Sequence, residues 1–176
     1  MEALVNWPCT LSLVEVARGK GRVRLEADEA SRTAIAKELG LQSLEVLSAE
    51  LSYRPWLDGA EVTGRFEAKV AQVCGVSLDV FEQDVAGDME FRVVPQASPN
   101  APIEAANTEV EFDSASPDPP DVLDDNAINL SRYVVEHLAL SIDPFPRKPG
   151  VVFDYVPETR EESPFAALRR LTDKEA

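Results

Sequence analysis

The sequence predicts an α+β fold: an antiparallel, partly barrel-like sheet with one long helix, about residues 127–142, packed on it, and a long acidic loop. Apolar and polar residues alternate along 47–54 and 62–70, whereas apolar residues recur every four positions along 130–142. Neither pattern continues through the acidic segment at 96–125. We expect a single domain over 1–176, with its core at about 4–95 and 126–156, a flexible acidic segment at 96–125 and a C-terminal tail at 157–176.

The first elements are a strand and a short helix. Residues 11–27 are rich in apolar residues, several of them β-branched, and predict a strand. Asp28 is a suitable helix N-cap, and Ile35 and Leu39 lie four positions apart on one helical face. Gly40 stands where a glycine commonly ends a helix, so the helix is short.

A β-hairpin is predicted next. The run 44–54 alternates with a period of two, and 62–70 does so again, with one apolar and one polar face. This alternation is typical of an antiparallel sheet that is covered on one side only. The dipeptide Asp58-Gly59 between the two runs supplies the positive φ of a tight turn. Two further strands are predicted at 76–81 and 89–94.

The second half of the chain holds the acidic segment and the long helix. No Lys or Arg lies between Arg92 and Arg132, whereas eight Asp or Glu do. This composition predicts a segment that either only solvates the protein or mimics nucleic acid and shields a basic protein. The helix presents one apolar stripe and ends at the prolines that follow, which lack an amide donor. The stripe consists of Leu130, Val134, Leu138 and Ile142.

Composition and charge exclude several classes of function. The net charge of −15 disfavours broad contact with bare phosphate backbones or anionic membranes. No run of apolar residues is long enough to span a bilayer, and the first ten residues do not resemble a secretory signal. We therefore expect a cytoplasmic protein that has no membrane partner and takes no small-molecule substrate.

Catalytic and metal chemistry find little support in the sequence. The chain has two cysteines, Cys9 and Cys74, and one histidine, His137, which is too few for a Cys/His zinc site. A Cys74–His137 nucleophile pair would need an activating and orienting group, and the sequence indicates none. We therefore predict no catalytic residue, no metal ligand and no cofactor.

Three stretches together resemble a known family. "GRFEAKVAQVCGVSLDVFEQDV", followed by "FRVVP" and, after the acidic gap, by "INLSRYVVEHLALSIDPFPRKPG", resembles the YceD family of bacterial and plastid proteins. These are known as large ribosomal RNA subunit accumulation proteins, and the resemblance covers about residues 60–171. It implies a non-enzymatic role in accumulating large-subunit ribosomal RNA. Many members carry a Cys-x-x-Cys pair where this chain has Cys74 and Ser77, so a thiol pair or zinc site is not expected here.

A basic stripe is the first candidate binding element. In "RGKGRVR" the basic residues are two positions apart, so on a strand they share one side. The stripe is either a charged face that protects an edge strand or a local phosphate-binding site on an acidic protein. Its members are Arg18, Lys20, Arg22 and Arg24.

The segment 143–150, "DPFPRKPG", is the second candidate. Its three prolines predict a stiff, extended rod that loses little entropy on binding. The segment is either a rigid connector or a partner-facing element that displays Phe145 and the basic pair Arg147 and Lys148.

The resemblance to the YceD family implies a ribosome-biogenesis factor that binds large-subunit ribosomal RNA or a ribosomal protein. Two alternatives stay open: an acidic chaperone for basic proteins, unrelated to ribosomal RNA, and an uncharacterised hydrolase.

Overall fold

The computed structural model describes residues 3–102 and 118–154. The tail predicted at 157–176 and the end of the predicted core lie outside these residues. In chain order the described elements are β1 (Ala3–Asn6), β2 (Thr10–Ser12), α1 (Leu13–Val16), β3 (Gly21–Glu26), α2 (Glu29–Glu38), β4 (Ser43–Trp56), β5 (Gly59–Val73), β6 (Val80–Pro95), β7 (Asp121–Leu123), β8 (Ala127–Asn129) and α3 (Leu130–Ser141).

The predicted α+β class is confirmed, and the sheet is mostly antiparallel. The strand order of the main sheet is β1-β3-β4-β5-β6-β7, and a small second sheet pairs β2 with β8. The pairs among β3, β4, β5 and β6 are antiparallel, whereas β1 and β7 join as short parallel strands. In the described part of the chain the sheet is open, with β1 and β7 at its edges, so the predicted barrel-like closure is wrong.

One face of the sheet forms the core. The alternation predicted for β4 and β5 is confirmed, because the apolar residues on one face are buried and their polar neighbours mostly are not. α1 contacts β4 and β5, α2 packs against β4, and α3 packs against β6 and β5. The largest fully buried core side chains on these two strands are Leu47, Leu51, Val62, Phe66 and Val70.

Helix α2 forms as the capping signals predict. The Asp28 side chain accepts a hydrogen bond from the Ser31 amide at 2.8 Å, which satisfies one of the free donors at the N-terminus. Beyond the C-cap Leu39, Gly40 adopts a φ of +67°, a backbone conformation that residues with a Cβ rarely take. Ile35 is buried, as the predicted stripe requires.

The long helix predicted at 127–142 is wrong in its extent. α3 has 12 residues, and the three residues before it form β8. The Asn129 side chain caps the helix by accepting from the Arg132 amide at 3.1 Å, so the helix begins after it. At the other end Ile142 is already extended, two residues before Pro144. Leu130, Val134 and Leu138 are buried as predicted.

Several strand boundaries differ from the predictions. The single strand expected at 11–27 is broken by α1, which begins with a capping box between Ser12 and Glu15. The two strands expected at 76–81 and 89–94 are replaced by β6, which has 16 residues and begins after a turn. Glu82, Asp84 and Asp88 lie on the outer face of β6, so their polarity does not interrupt the strand.

The hairpin turn lies one residue earlier than predicted. Trp56 pairs with Gly59, which makes Leu57 and Asp58 the two turn residues, and the positive φ of +52° falls on Leu57. Gly59 serves another purpose. A Cβ there would lie 1.9 Å from the Val93 carbonyl oxygen, so only glycine permits this close approach of β5 and β6.

The segment 96–125 is structured where it is described. Asp58 accepts hydrogen bonds from the side chains of Ser98 at 2.8 Å and Asn100 at 3.0 Å. β7 pairs with the end of β6. A flexible segment with the boundaries 96–125 is therefore too wide, and residues 103–117 lie outside the described residues.

Candidate functional site

The basic stripe is only partly a strand face. Arg22 and Arg24 alternate with the buried Val23 and Leu25 along β3, as predicted. Arg18 lies in the turn after α1, and Lys20 directly precedes the strand. Arg22 and Arg24 therefore lie on the outer face of the sheet, whereas Arg18 and Lys20 lie just before β3 begins.

The interpretation of this stripe as a protected edge is wrong only for its last member. Among the described residues β3 pairs with β4 along its whole length but with β1 only from Val23 to Glu26, so Arg24 lies in an interior stretch whereas Lys20 and Arg22 precede it. Arg24 also has a partner, because its Nη1 lies 3.7 Å from Oε1 of Glu50 on β4. Within the described residues Lys20 and Arg22 make no ion pair. Edge protection and phosphate binding therefore both stay open for these two charges.

Lys20 and Arg22 line an open depression of about 680 Å³ at the hairpin end of the sheet. β4 and β5 supply the rest of the lining, including a third cation, Arg54, which sequence analysis missed. The lining residues are Lys20, Gly21, Arg22, Ser52, Tyr53, Arg54, Glu61 and Thr63. The depression thus combines three cations with the hydroxyl groups of Ser52 and Thr63, and we name it the basic depression.

A buried carboxylate organises one wall of the basic depression. The Glu61 side chain is only 4% exposed, and it accepts hydrogen bonds from the Nε groups of Arg54 and Arg92, the latter at 3.0 Å. The guanidinium of Arg92 also lies over the Trp56 ring, 5.4 Å from its centroid. The hydrogen bond from Arg54 lowers the pKa of Glu61, so this carboxylate stays ionised and fixes both arginines.

The segment 143–150 is held firmly against the turn between β5 and β6. The Gly75 amide donates to the Pro146 carbonyl oxygen at 2.9 Å, and the Gln72 side-chain amide donates to the Asp143 carbonyl oxygen at 3.2 Å. The Lys148 amide donates to the Cys74 sulfur at 3.4 Å. These bonds join parts of the chain that are about 70 residues apart.

The anchoring separates the three predicted contact residues. Phe145 is 80% exposed, and Arg147 is also exposed. Lys148 is only half-exposed, and its Nζ lies 3.2 Å from Asp79 Oδ2. The two members of the basic pair therefore differ, because Lys148 has an acidic partner on the neighbouring turn.

Cys74 is a buried thiol with two amide donors. Besides the Lys148 amide, the Ser77 amide lies 3.4 Å from its sulfur. Hydrogen bonding from Ser77 lowers the pKa of Cys74 to about 6, with the Lys148 amide as a further cause. His137 has different surroundings, since its Nδ1 lies 2.9 Å from the Tyr133 carbonyl oxygen. The structure thus gives no Cys74–His137 contact among the described residues.

Within residues 3–102 and 118–154, no group of three or more His, Cys, Asp or Glu side chains is placed to hold a metal ion. None of the helices in this part of the chain has the length and apolarity to cross a membrane. Comparisons with family models, with curated proteins and with solved structures found no match to this chain.

Proposed function

We propose that this protein is a cytoplasmic, non-enzymatic ribosome-biogenesis factor that supports the accumulation of large-subunit ribosomal RNA. It acts by binding an assembly intermediate or a basic ribosomal protein. The observation that supports this proposal best is the docking of segment 143–150 on the turn between β5 and β6, with Phe145 left exposed.

The docking joins two of the stretches that resemble the YceD family. One stretch contains Gly75 and the other contains Pro146, and the two residues share a backbone hydrogen bond of 2.9 Å. The salt bridge between Asp79 and Lys148 joins the same stretches. A single surface therefore contains both of them, which supports one contact region over two separate elements.

The physical properties of this surface suit a binding anchor. The segment is stiffened by three prolines and tied down at Asp143, Pro146 and Lys148, so little conformational entropy remains to be lost on binding. Phe145 then offers a large apolar side chain in a fixed place. Its full burial against a partner is worth about 2 kcal/mol, or more than a tenfold gain in affinity.

A depletion and complementation experiment tests the proposal. Depletion of the protein should lower large-subunit ribosomal RNA more than small-subunit RNA, and the wild-type chain should restore it. Phe145→Ala should restore it only in part. Val14→Ala is the matched control, because Val14 is a 62% exposed apolar residue on α1, outside the segment. Depletion that leaves both RNAs at their normal ratio would contradict the proposed function.

The net charge of −15 supports one further candidate, an acidic chaperone for basic proteins. The same experiment separates the two. A chaperone of this kind would keep several unrelated basic proteins soluble, and its loss would precipitate them without a selective fall of large-subunit RNA.

A further inference from the structure

The basic depression contains charged groups that have no partner among the described residues. Lys20 and Arg22 make no ion pair among the described residues, and Arg54 uses its Nε for Glu61 while its terminal nitrogens have no partner there. The hydroxyls of Ser52 and Thr63 line the same space. Cations and hydroxyl donors in one depression are the groups that bind phosphate oxygens.

We propose that the basic depression binds the phosphodiester backbone of single-stranded RNA. This inference rests on the proposed function and names the kind of contact that the protein makes. Lys20 and Arg22 neutralise phosphate charge, the terminal nitrogens of Arg54 donate to a phosphate oxygen, and the hydroxyls fix its position.

The local charge of the depression differs from that of the whole chain. Glu61 is the one acidic side chain in its lining, and Arg54 and Arg92 together offset that charge. The excess positive charge of Lys20 and Arg22 therefore acts within a protein whose net charge is −15. Since the remaining surface repels a polyanion, RNA contact is confined to this place and falls steeply with salt.

Charge complementarity and the proposed function select RNA as the occupant of the basic depression. Arg22 and Arg54 lie on the outer face of the sheet, whereas the Tyr53 ring lies over Gly21 on the face that packs against the core, so the contact is made with phosphate groups. The volume of about 680 Å³ is within the range of sites that hold small ligands, and it suits one or two nucleotides.

A salt titration with the full chain tests this site. The probe is a short fluorescein-labelled oligouridylate, and its binding is followed by fluorescence anisotropy at several salt concentrations. The test variant is Lys20→Gln/Arg22→Gln. The matched control is Arg24→Gln/Arg65→Gln, which removes the same charge from the same face of the sheet. Both control arginines already have acidic partners, Glu50 for one and Glu67 and Asp88 for the other.

The two variants should behave differently. The test variant should reduce the slope of log K against log salt by about 1.4, since each lost contact to single-stranded RNA contributes about 0.7. The control should change the slope by less than half as much. Absence of oligouridylate binding at low salt, or equal effects of both variants, would overturn the proposal. If the test variant unfolds, Lys20→Gln alone replaces it, because Lys20 lies outside the strand and should reduce the slope by about 0.7.

Competition identifies the ligand. Polyglutamate of matched charge should displace the oligouridylate poorly, and inorganic phosphate should do so only at far higher concentration. Equal displacement by polyglutamate would replace RNA with an acidic polypeptide as the ligand, and equal displacement by phosphate would reduce the depression to a small-anion site.

This inference and the proposed function can fail separately. If the test variant loses oligouridylate binding but fully restores large-subunit RNA in depleted cells, the inference that this site serves the proposed function is wrong. If depletion has no effect on ribosomal RNA while the variant still loses oligouridylate binding, the site stands and the proposed function fails.

Discussion

Adding a methyl group at Gly87 on β6 tests how closely β6 packs on β5. A Cβ at this residue would lie 2.7 Å from Cε1 and 3.0 Å from Cζ of Phe66, which is fully buried on β5. The same Cβ would lie 3.6 Å from the Ser141 hydroxyl at the end of α3. The backbone of Gly87 does not have a positive φ, so Gly87→Ala adds volume without backbone strain.

The expected cost follows from these contacts. Overpacking a well-filled core costs about 1–3 kcal/mol, and the loss of glycine freedom in the unfolded chain returns about 0.4–1 kcal/mol. Gly87→Ala should therefore destabilise the wild-type protein by about 1–2 kcal/mol. Phe66→Ala should cost about 3–5 kcal/mol because it leaves a cavity. In that background Gly87→Ala should stabilise the protein by about 0.4–1 kcal/mol, since the ring it meets is gone and only the loss of glycine freedom in the unfolded chain remains.

Urea titrations of the four proteins in this double-mutant cycle give the free energies of unfolding and hence the coupling energy, which we expect at about 1–3 kcal/mol because it equals the overpacking cost. Gly75→Ala is the control in both backgrounds, because its Cβ would meet only the Pro146 carbonyl oxygen, at an ordinary 3.7 Å. If Gly87→Ala costs the same with and without the Phe66 ring, the packing of β6 on β5 described above is incorrect.

Three further predictions follow from individual contacts. Glu61→Gln should lower the free energy of unfolding by about 1–3 kcal/mol. Because the pKa of Glu61 is lowered, the stability it contributes is present above pH 4.5 and is lost as the pH falls below that value, so the difference from Glu61→Gln should shrink there. The ultraviolet absorbance of the Cys74 thiolate should titrate near pH 6, and Cys74→Ser should abolish this step. Asp58→Ala should increase amide hydrogen exchange at 98–101 by removing two side-chain hydrogen bonds, and unchanged exchange there would contradict this anchoring role.

Sequence patterns correctly predicted the elements whose formation depends on residues close together in the chain. The alternation along β4 and β5 and the caps of α2 depend on residues a few positions apart, and the structure confirms both. The capping box of α1 had a visible signal in Ser12 and Glu15, three positions apart, but the apolar residues around it favoured a strand. The positive φ of Leu57 had no such signal, because a hairpin normally places glycine or asparagine there.

The basic depression depends on strand register, which the sequence alone did not fix. A turn at Asp58-Gly59 shifts the register and separates Arg54 from Glu61, whereas a turn at Leu57 and Asp58 pairs them. Lys20 and Arg22 were found from their spacing, but their meeting with Arg54 depends on β3 lying beside β4. Nothing in the sequence around Glu61 indicates that this residue is buried, because Arg54 and Arg92, which pair with it, lie on two neighbouring strands.

The long outer edge of β6 has a consequence for self-association. In the described part of the chain, β7 covers this edge only at Val93–Pro95, although β6 begins at Val80. An exposed edge of this length is a template for strand addition by a second copy. Its outward-facing side chains at alternate positions are mostly acidic: Glu82, Asp84, Asp88 and Glu90. Two such edges side by side would bring rows of like charge together, which opposes filament growth at neutral pH. As the pH falls toward the pI of about 4.4, this repulsion fades, and the same edge becomes the place where aggregation begins.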